Sequence, residues 1–111
     1  MADTEWLDPW YPVSDPAVRA GLEAQVRLEI SECHVLFGQN AQLVARRTDT
    51  DDALFALPNG RVAEVHMTWS KKTEQDPRWP VTAIFNSVEE WRRESMLPLH
   101  EELSRIWNRD G

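Results

Sequence analysis

The chain has 111 residues, 41% of them apolar and 28% charged, and its net charge is −7. This size and balance predict one globular domain over residues 1–111, and the apolar runs are too short for a membrane-spanning helix. The single cysteine excludes an internal disulfide. Because the amino terminus lacks a basic start and an apolar segment, it does not indicate a signal peptide, and we expect a cytoplasmic protein.

The acidic charge is concentrated at the two ends of the chain. Residues 1–34 hold seven acids and two bases, residues 35–86 hold six of each, and residues 87–111 hold six acids and four bases. Phosphate-backbone binding needs a basic patch, so we expect no nucleic-acid partner, and we expect no membrane partner. An acidic surface favours a basic protein partner, or serves only solubility.

The first segment, residues 1–13, reads as an aromatic N-terminal arm broken by prolines. It holds Trp6, Trp10 and Tyr11. The arm either packs on its own body in a monomer or docks on another chain, as in a homodimer, since Trp and Tyr dominate interface hot spots.

A first helix is predicted to begin at Asp15, an N-cap candidate followed by a proline in the first turn, and to end near His34. Apolar side chains recur at every fourth position and form one buried stripe: Val18, Leu22, Val26 and Ile30.

Residues 53–70 predict the central hairpin of the fold. Asn59 and Gly60 lie between two apolar runs, and both tolerate the positive φ of a two-residue type I′ turn, which sets Leu54 opposite Val65. One face is then wholly apolar: Leu54, Ala56, Ala63, Val65, Met67 and Trp69. The other face is mixed: Phe55, Leu57, Val62, Glu64, His66 and Thr68.

The segments around the hairpin complete the predicted sheet. Residues 41–48 predict a strand that joins the hairpin in a meander, and residues 81–85 predict a fourth, shorter strand after a polar loop at 71–80. A capping box at 87–90 predicts a second helix, which Pro98 breaks or kinks, and apolar residues at helical spacing predict a further helical piece after it.

The pattern therefore predicts an α+β fold. Its antiparallel sheet of three to four strands carries the N-terminal helix and the C-terminal helical segment on one face. The predicted core is Val18, Leu22, Val26, Ile30, Leu43, Leu54, Val65, Met67, Trp69, Trp91 and Leu103.

No metal, cofactor or catalytic residue is indicated. Cys33 and His34 point about 100° apart on a helix, and no two histidines have the spacing of paired ligands. Asp49, Asp51 and Asp52 read as turn acids, because a calcium loop would need a glycine and a glutamate at fixed later positions.

One group of residues is a candidate binding site: His66, Thr68, Trp69, Arg78 and Trp79. If the loop at 76–80 folds over the mixed face of the hairpin, a guanidinium and an indole join an imidazole, a set that binds anions or transfers protons. The alternative is structural, with Arg78 paired to Asp76 or Glu64 and Trp79 at the sheet edge.

Three motifs carry a resemblance: VHMTWS at 65–70, DPRWP at 76–80 and SVEEW at 87–91. Together they resemble a group of small uncharacterised bacterial proteins with the pattern DDxLF…VHLTWS…DPRWP…EW, over residues 28–100. The resemblance implies a bacterial origin and a stand-alone domain, and it implies no activity.

Two classes of function follow. The acidic, tryptophan-rich chain favours a non-catalytic protein-binding module, in its concrete form a bacterial immunity protein that caps a basic toxin. The alternative is a small-molecule or anion-binding domain, or a minor enzyme, that uses His66, Arg78 and Trp79.

Overall fold

The computed structural model describes residues 4–107 and has an α+β fold built on one antiparallel sheet, in the strand order β1-β2-β3-β4-β5. The elements are β1 (Trp10–Pro12), α1 (Pro16–Glu29), β2 (Gln42–Arg47), β3 (Asp52–Ala56), β4 (Val62–His66), β5 (Thr82–Phe85), α2 (Val88–Trp91) and α3 (Leu97–Trp107), with a π-helical turn (Arg92–Met96) between the last two. None of the described helices is long and apolar enough to span a bilayer.

The sheet has five strands instead of the expected three to four, because part of the aromatic arm forms β1. Tyr11 lies opposite Arg46, and Trp10 lies opposite Arg47. Pro12 ends a strand at the edge of the sheet, where the missing N–H breaks no ladder bond. The expectation that prolines keep this segment irregular is wrong for residues 10–12, and residues 1–3 lie outside the described part of the chain.

The central hairpin exists, but its register differs by one residue from the prediction. Leu54 lies opposite Glu64. The turn is wider than two residues, since Leu57 N–H donates to the Arg61 carbonyl at 2.9 Å and Pro58–Gly60 forms a 3₁₀ turn between them. The positive φ expected of Asn59 is present, at 66°.

This shift of one residue exchanges the faces of the hairpin strands. Val65 faces α1, and Leu54 faces the opposite side, where α2, the π turn and the arm pack. The expectation that both helical segments cover one face is therefore wrong. The α1 side buries Leu22, Val26, Leu36, Leu43, Phe55, Leu57, Val65 and Met67, and the opposite side buries Trp10, Ala45, Leu54, Val62, Trp91 and Met96.

Helix α1 begins as predicted and ends early. The Asp15 carboxylate caps it, accepting from the Ala17 N–H at 2.9 Å. Ile30 is already extended, so the helix stops well before His34. Val18 is 39% exposed, contrary to its place in the predicted core, because the buried stripe begins one turn later and α1 packs chiefly on β2.

The C-terminal helix is capped as predicted, with Ser87 Oγ accepting from the Glu90 N–H at 3.1 Å. Pro98 does not break the helix. It lies in the first turn of α3, directly after the π turn, whose wider winding accommodates a residue that lacks an N–H. Leu103, expected in the core, is only partly buried.

Candidate functional site

One end of the sheet carries the polar and aromatic side chains that form two candidate binding sites. The end of β2, the start of β3 and the end of β4 meet there, beside the acidic loop of residues 48–51. Asp51 borders the chain after β4, because its carbonyl accepts from the Met67 N–H at 3.1 Å. This end of the sheet positions both of the side-chain groups described below.

The centre of the first group is a buried carboxylate. Glu29, at the last position of α1, is fully buried. One of its oxygens accepts from the Thr68 N–H at 2.9 Å and lies 3.0 Å from Thr68 Oγ1, whose single proton is shared with a Glu74 carboxylate oxygen at 3.1 Å. The other accepts from the Trp69 N–H at 3.0 Å and from Gln25 Nε2 at 2.8 Å. Three N–H donors and a shared hydroxyl therefore satisfy this buried carboxylate, and within residues 4–107 no ion pair reaches it.

These bonds hold Trp69 in an unusual conformation. Its φ is 57°, in the left-handed region that a bulky residue rarely adopts. The ring is directed outward and is 43% exposed, which corrects the expectation that Trp69 belongs to the core. The guanidinium carbon of Arg46 lies 5.7 Å from the ring centroid, a cation–π distance. Tyr11, the neighbour of Arg46 across the sheet, is 39% exposed. We call these three residues the Trp69 platform.

The second group lies on the opposite face of the same sheet end. His66 Nδ1 is 3.3 Å from a carboxylate oxygen of Asp52, and Arg47 is 3.5 Å from the other. Arg47 also donates two hydrogen bonds to the Asp49 carboxylate, at 2.9 and 2.8 Å. We call His66, Asp52 and Arg47 the His66 cluster.

Charge pairing shifts the pKa values of Arg47 and Asp49. Partial burial opposes the charge of Arg47, but the hydrogen bond to Asp49 and the charges of Asp49, Asp52 and Glu64 outweigh it, so its pKa is raised. The same hydrogen bond from Arg47 lowers the pKa of Asp49 below its ordinary value. Both groups therefore remain charged at neutral pH.

The structure divides the five predicted binding residues among different partners. Thr68 and Trp69 attach to Glu29, and His66 contacts Asp52. Arg78 pairs with Asp76, with a shortest distance of 2.6 Å, and this pair lowers the pKa of Asp76 and raises that of Arg78. Within residues 4–107, no hydrogen bond or ion pair joins Arg78 to His66.

Of the four remaining predicted site residues, Trp10 is buried, Trp6 packs against the same cluster, and the other two, Tyr11 and Trp79, are exposed. The Trp10 and Trp91 rings meet edge to face, with centroids 5.1 Å apart, and Trp6 lies 5.8 Å from Trp91. The arm thus packs on its own body, and of its three aromatic residues only Tyr11 is exposed. Trp79 is 44% exposed and lies in the loop before β5.

His34 is the buried histidine of the described chain. It is 4% exposed, and the Leu36 N–H donates to its Nδ1 at 3.0 Å. Nε2 therefore carries the proton and donates to the Pro80 carbonyl at 2.9 Å. This arrangement fastens the loop before β5 to the turn after α1, a structural role.

Three open pockets of the described chain, at the end of α1, on α3 and beside the hairpin turn, are lined by residues of neither group. A wide, open pocket of about 610 Å³ lies past the end of α1, lined by Arg27, Ile30, Ser31, Glu32, Cys33, Phe37, Thr73 and Gln75. Within residues 4–107, no three His, Cys, Asp or Glu side chains are grouped so as to hold a metal ion.

Sequence reasoning missed Glu29, Arg46 and Asp52 as site residues. A signal for Glu29 exists, because it lies three residues after Val26 and seven after Leu22, so it is a charge on the buried stripe. Arg46 and Asp52 become site residues only through the strand register. The sequence does not predict that register, because the expected two-residue turn is wrong.

Comparison with models of known protein families, with curated proteins and with solved structures gives no match.

Proposed function

We propose that this chain is a non-catalytic protein-binding module that binds a basic protein through the Trp69 platform. One observation carries the proposal: an exposed indole is fixed by a buried carboxylate, with Trp69 43% exposed and its N–H bonded to Glu29. The platform contains one Trp, one Arg and one Tyr, the residue types that dominate binding hot spots. Because the Glu29 bonds fix the backbone beforehand, little conformational entropy is lost on association.

Charge argues for the basic partner. The net charge is −7, and the exposed acids of the loop at 48–51 border the chain that carries Trp69. An acidic rim accelerates association with a basic protein and orients it. An immunity protein that caps a basic toxin is the concrete form of this function. A toxin-like reading frame beside the gene would supply the protein to be tested.

The experiment compares two equally exposed tryptophans. The dissociation constant for the basic neighbour-encoded protein is measured by titration calorimetry for wild type, Trp69→Ala and Trp79→Ala. Their exposed fractions are 43% and 44%, so the variants lose similar exposed surface. A hot-spot loss of about 2 kcal/mol corresponds to about 30-fold weaker binding for Trp69→Ala. We expect Trp79→Ala to bind as wild type, and the association rate to fall with added salt.

Equal affinity of Trp69→Ala and wild type would exclude the platform as the contact surface. Absence of binding to the basic protein would exclude this partner.

A second candidate is a small-molecule or anion-binding site, or a minor enzyme, at the His66 cluster. The contact between His66 and Asp52 at 3.3 Å favours it, because a carboxylate beside an imidazole orients the ring for proton transfer. The expected Arg78 and Trp79 would extend this site only if their loop moves toward it.

Thermal denaturation with inorganic phosphate, phosphorylated metabolites and carboxylate metabolites tests the second candidate. A ligand at about 100 times its dissociation constant stabilises the protein by about 2.7 kcal/mol. We expect His66→Ala to remove the shift and, if the loop takes part, Arg78→Ala to reduce it. An equal shift in wild type and His66→Ala would place the ligand elsewhere.

A further inference from the structure

Strand β5 is the last strand of the sheet, and its outer edge is unpaired in the described chain. The His66 N–H donates to the Val81 carbonyl at 2.9 Å, so the pair of these two residues is hydrogen-bonded. Bonded and non-bonded pairs alternate along antiparallel strands. Therefore Ala83 and Phe85 also bond inward to β4, and the backbone N–H and C=O groups of Thr82 and Ile84 point outward.

Natural sheets protect such edges, and in residues 4–107 β1 has a proline within the strand whereas β5 has one only before it, at Pro80. Edge strand β1 is three residues long and ends in Pro12, with Pro9 directly before it. Residues 81–85, Val-Thr-Ala-Ile-Phe, contain neither a charge nor a proline, and the register with β4 is continuous. An uncharged, regular edge strand is the kind that pairs with another chain.

The side chains of this edge are also apolar and accessible on one face. Val81 is 51% exposed, Ala83 is exposed, and Phe85 is partly exposed. Alternation along the strand places all three on the side opposite α1. A strand added to this edge would cover them.

We propose that β5 pairs antiparallel with β5 of a second copy of this chain, which joins two five-stranded sheets into one. A two-fold axis at Ala83 places Thr82 opposite Ile84 of the partner subunit and Val81 opposite Phe85 of the partner subunit. Thr82 and Ile84 carry the outward groups, so this register forms four backbone hydrogen bonds across the axis. A one-residue change of register would place inward-pointing groups opposite outward-pointing ones.

A second copy fits this edge better than an unrelated extended peptide for two reasons. The outward groups lie symmetrically on either side of Ala83, so the edge is complementary to itself. The strand is uncharged although the chain carries a net charge of −7, so self-pairing sets no like charges opposite each other on the strand itself. The proposal is independent of the Trp69 platform, which lies on the other face of the sheet.

The test is a charge exchange at Ala83, whose exposed side chain would meet its own symmetry mate. Molar mass is measured by sedimentation equilibrium for wild type, Ala83→Glu, Ala83→Lys and the equimolar mixture of the two variants. We expect wild type at twice the 12.9 kDa chain mass and each variant alone at the chain mass. We expect the mixture to return to twice that mass as a heterodimer, because opposite charges then face each other.

Two controls separate pairing from folding. Ala83→Ser introduces no charge and should remain a dimer, and circular dichroism should show the wild-type fold in every variant. A monomeric wild type at high micromolar concentration, dimeric single variants, or a mixture that stays monomeric would each overturn the proposal. Misfolded chains would not form a heterodimer in the mixture. The mixture therefore distinguishes lost pairing from lost folding.

Discussion

At the scale of single residues, Glu29 determines how the surface beside it is presented. A buried carboxylate is costly unless it is hydrogen-bonded, and charge-assisted bonds are stronger than neutral ones. The three N–H groups and the shared hydroxyl that contact it come from α1 and from the chain after β4, which are far apart in sequence. One side chain therefore connects two elements and keeps Trp69 at its positive φ.

Replacing Glu29 by Gln should destabilise the protein more than the same change at Glu23. The amide of Gln keeps only one acceptor oxygen, and its NH₂ group faces a backbone N–H that has lost its acceptor. A buried N–H that is left unpaired costs about 1–3 kcal/mol. Glu23, on the same helix, accepts a single hydrogen bond, from the Leu43 N–H at 2.8 Å. Urea denaturation gives both free energies of unfolding, and amide hydrogen exchange should accelerate at Thr68 and Trp69 only in Glu29→Gln.

Equal destabilisation by the two substitutions, with unchanged exchange at Thr68 and Trp69, would contradict the central role assigned to Glu29.

At the scale of elements, local signals were reliable and long-range pairings were not. The caps at Asp15 and Ser87 are local, and the structure contains both. Strand β1 was missed because its prolines oppose a strand locally, whereas pairing with β2 at the sheet edge tolerates them. The register was missed because Pro58 enters the turn, which widens the loop that Asn59 and Gly60 were expected to close alone.

The arm supplies the element-scale prediction. Trp10→Ala should lower the free energy of unfolding by about 3–5 kcal/mol, because the ring is 1% exposed and packs against Trp91. Tyr11→Ala, the next residue of the same strand, should lower it by less than Trp10→Ala does, because Tyr11 is 39% exposed and loses less buried surface. Deletion of residues 1–13 should lower the melting temperature to the same extent at every protein concentration.

A difference in melting temperature between intact and truncated protein that depends on concentration, or a near-neutral Trp10→Ala, would show that the arm is not held by its own body.

At the scale of the whole molecule, one sheet lies between two apolar layers. This explains why the predicted core residues Leu54 and Val65 are both fully buried although they lie on opposite faces and not on a common one. A one-residue register change normally moves apolar side chains into water. Here it moves them from one buried layer to the other, so the destabilisation of a single core variant does not reveal the register.

A shared sheet also predicts that the two layers unfold together. Leu54→Ala should cost about 2–5 kcal/mol and Val65→Ala about 1–3 kcal/mol, because each removes buried methyl groups and leaves a cavity. The backbone amide signals of α1 in nuclear magnetic resonance spectra report one layer, and those of residues 91–96 report the layer on the other face. Loss of either layer exposes the common strands, so in both variants the two urea transitions should coincide at a lower midpoint with an unchanged slope. If Leu54→Ala shifted the transition of residues 91–96 and left the transition of α1 in place, the layers would unfold independently, and the sheet would not couple them.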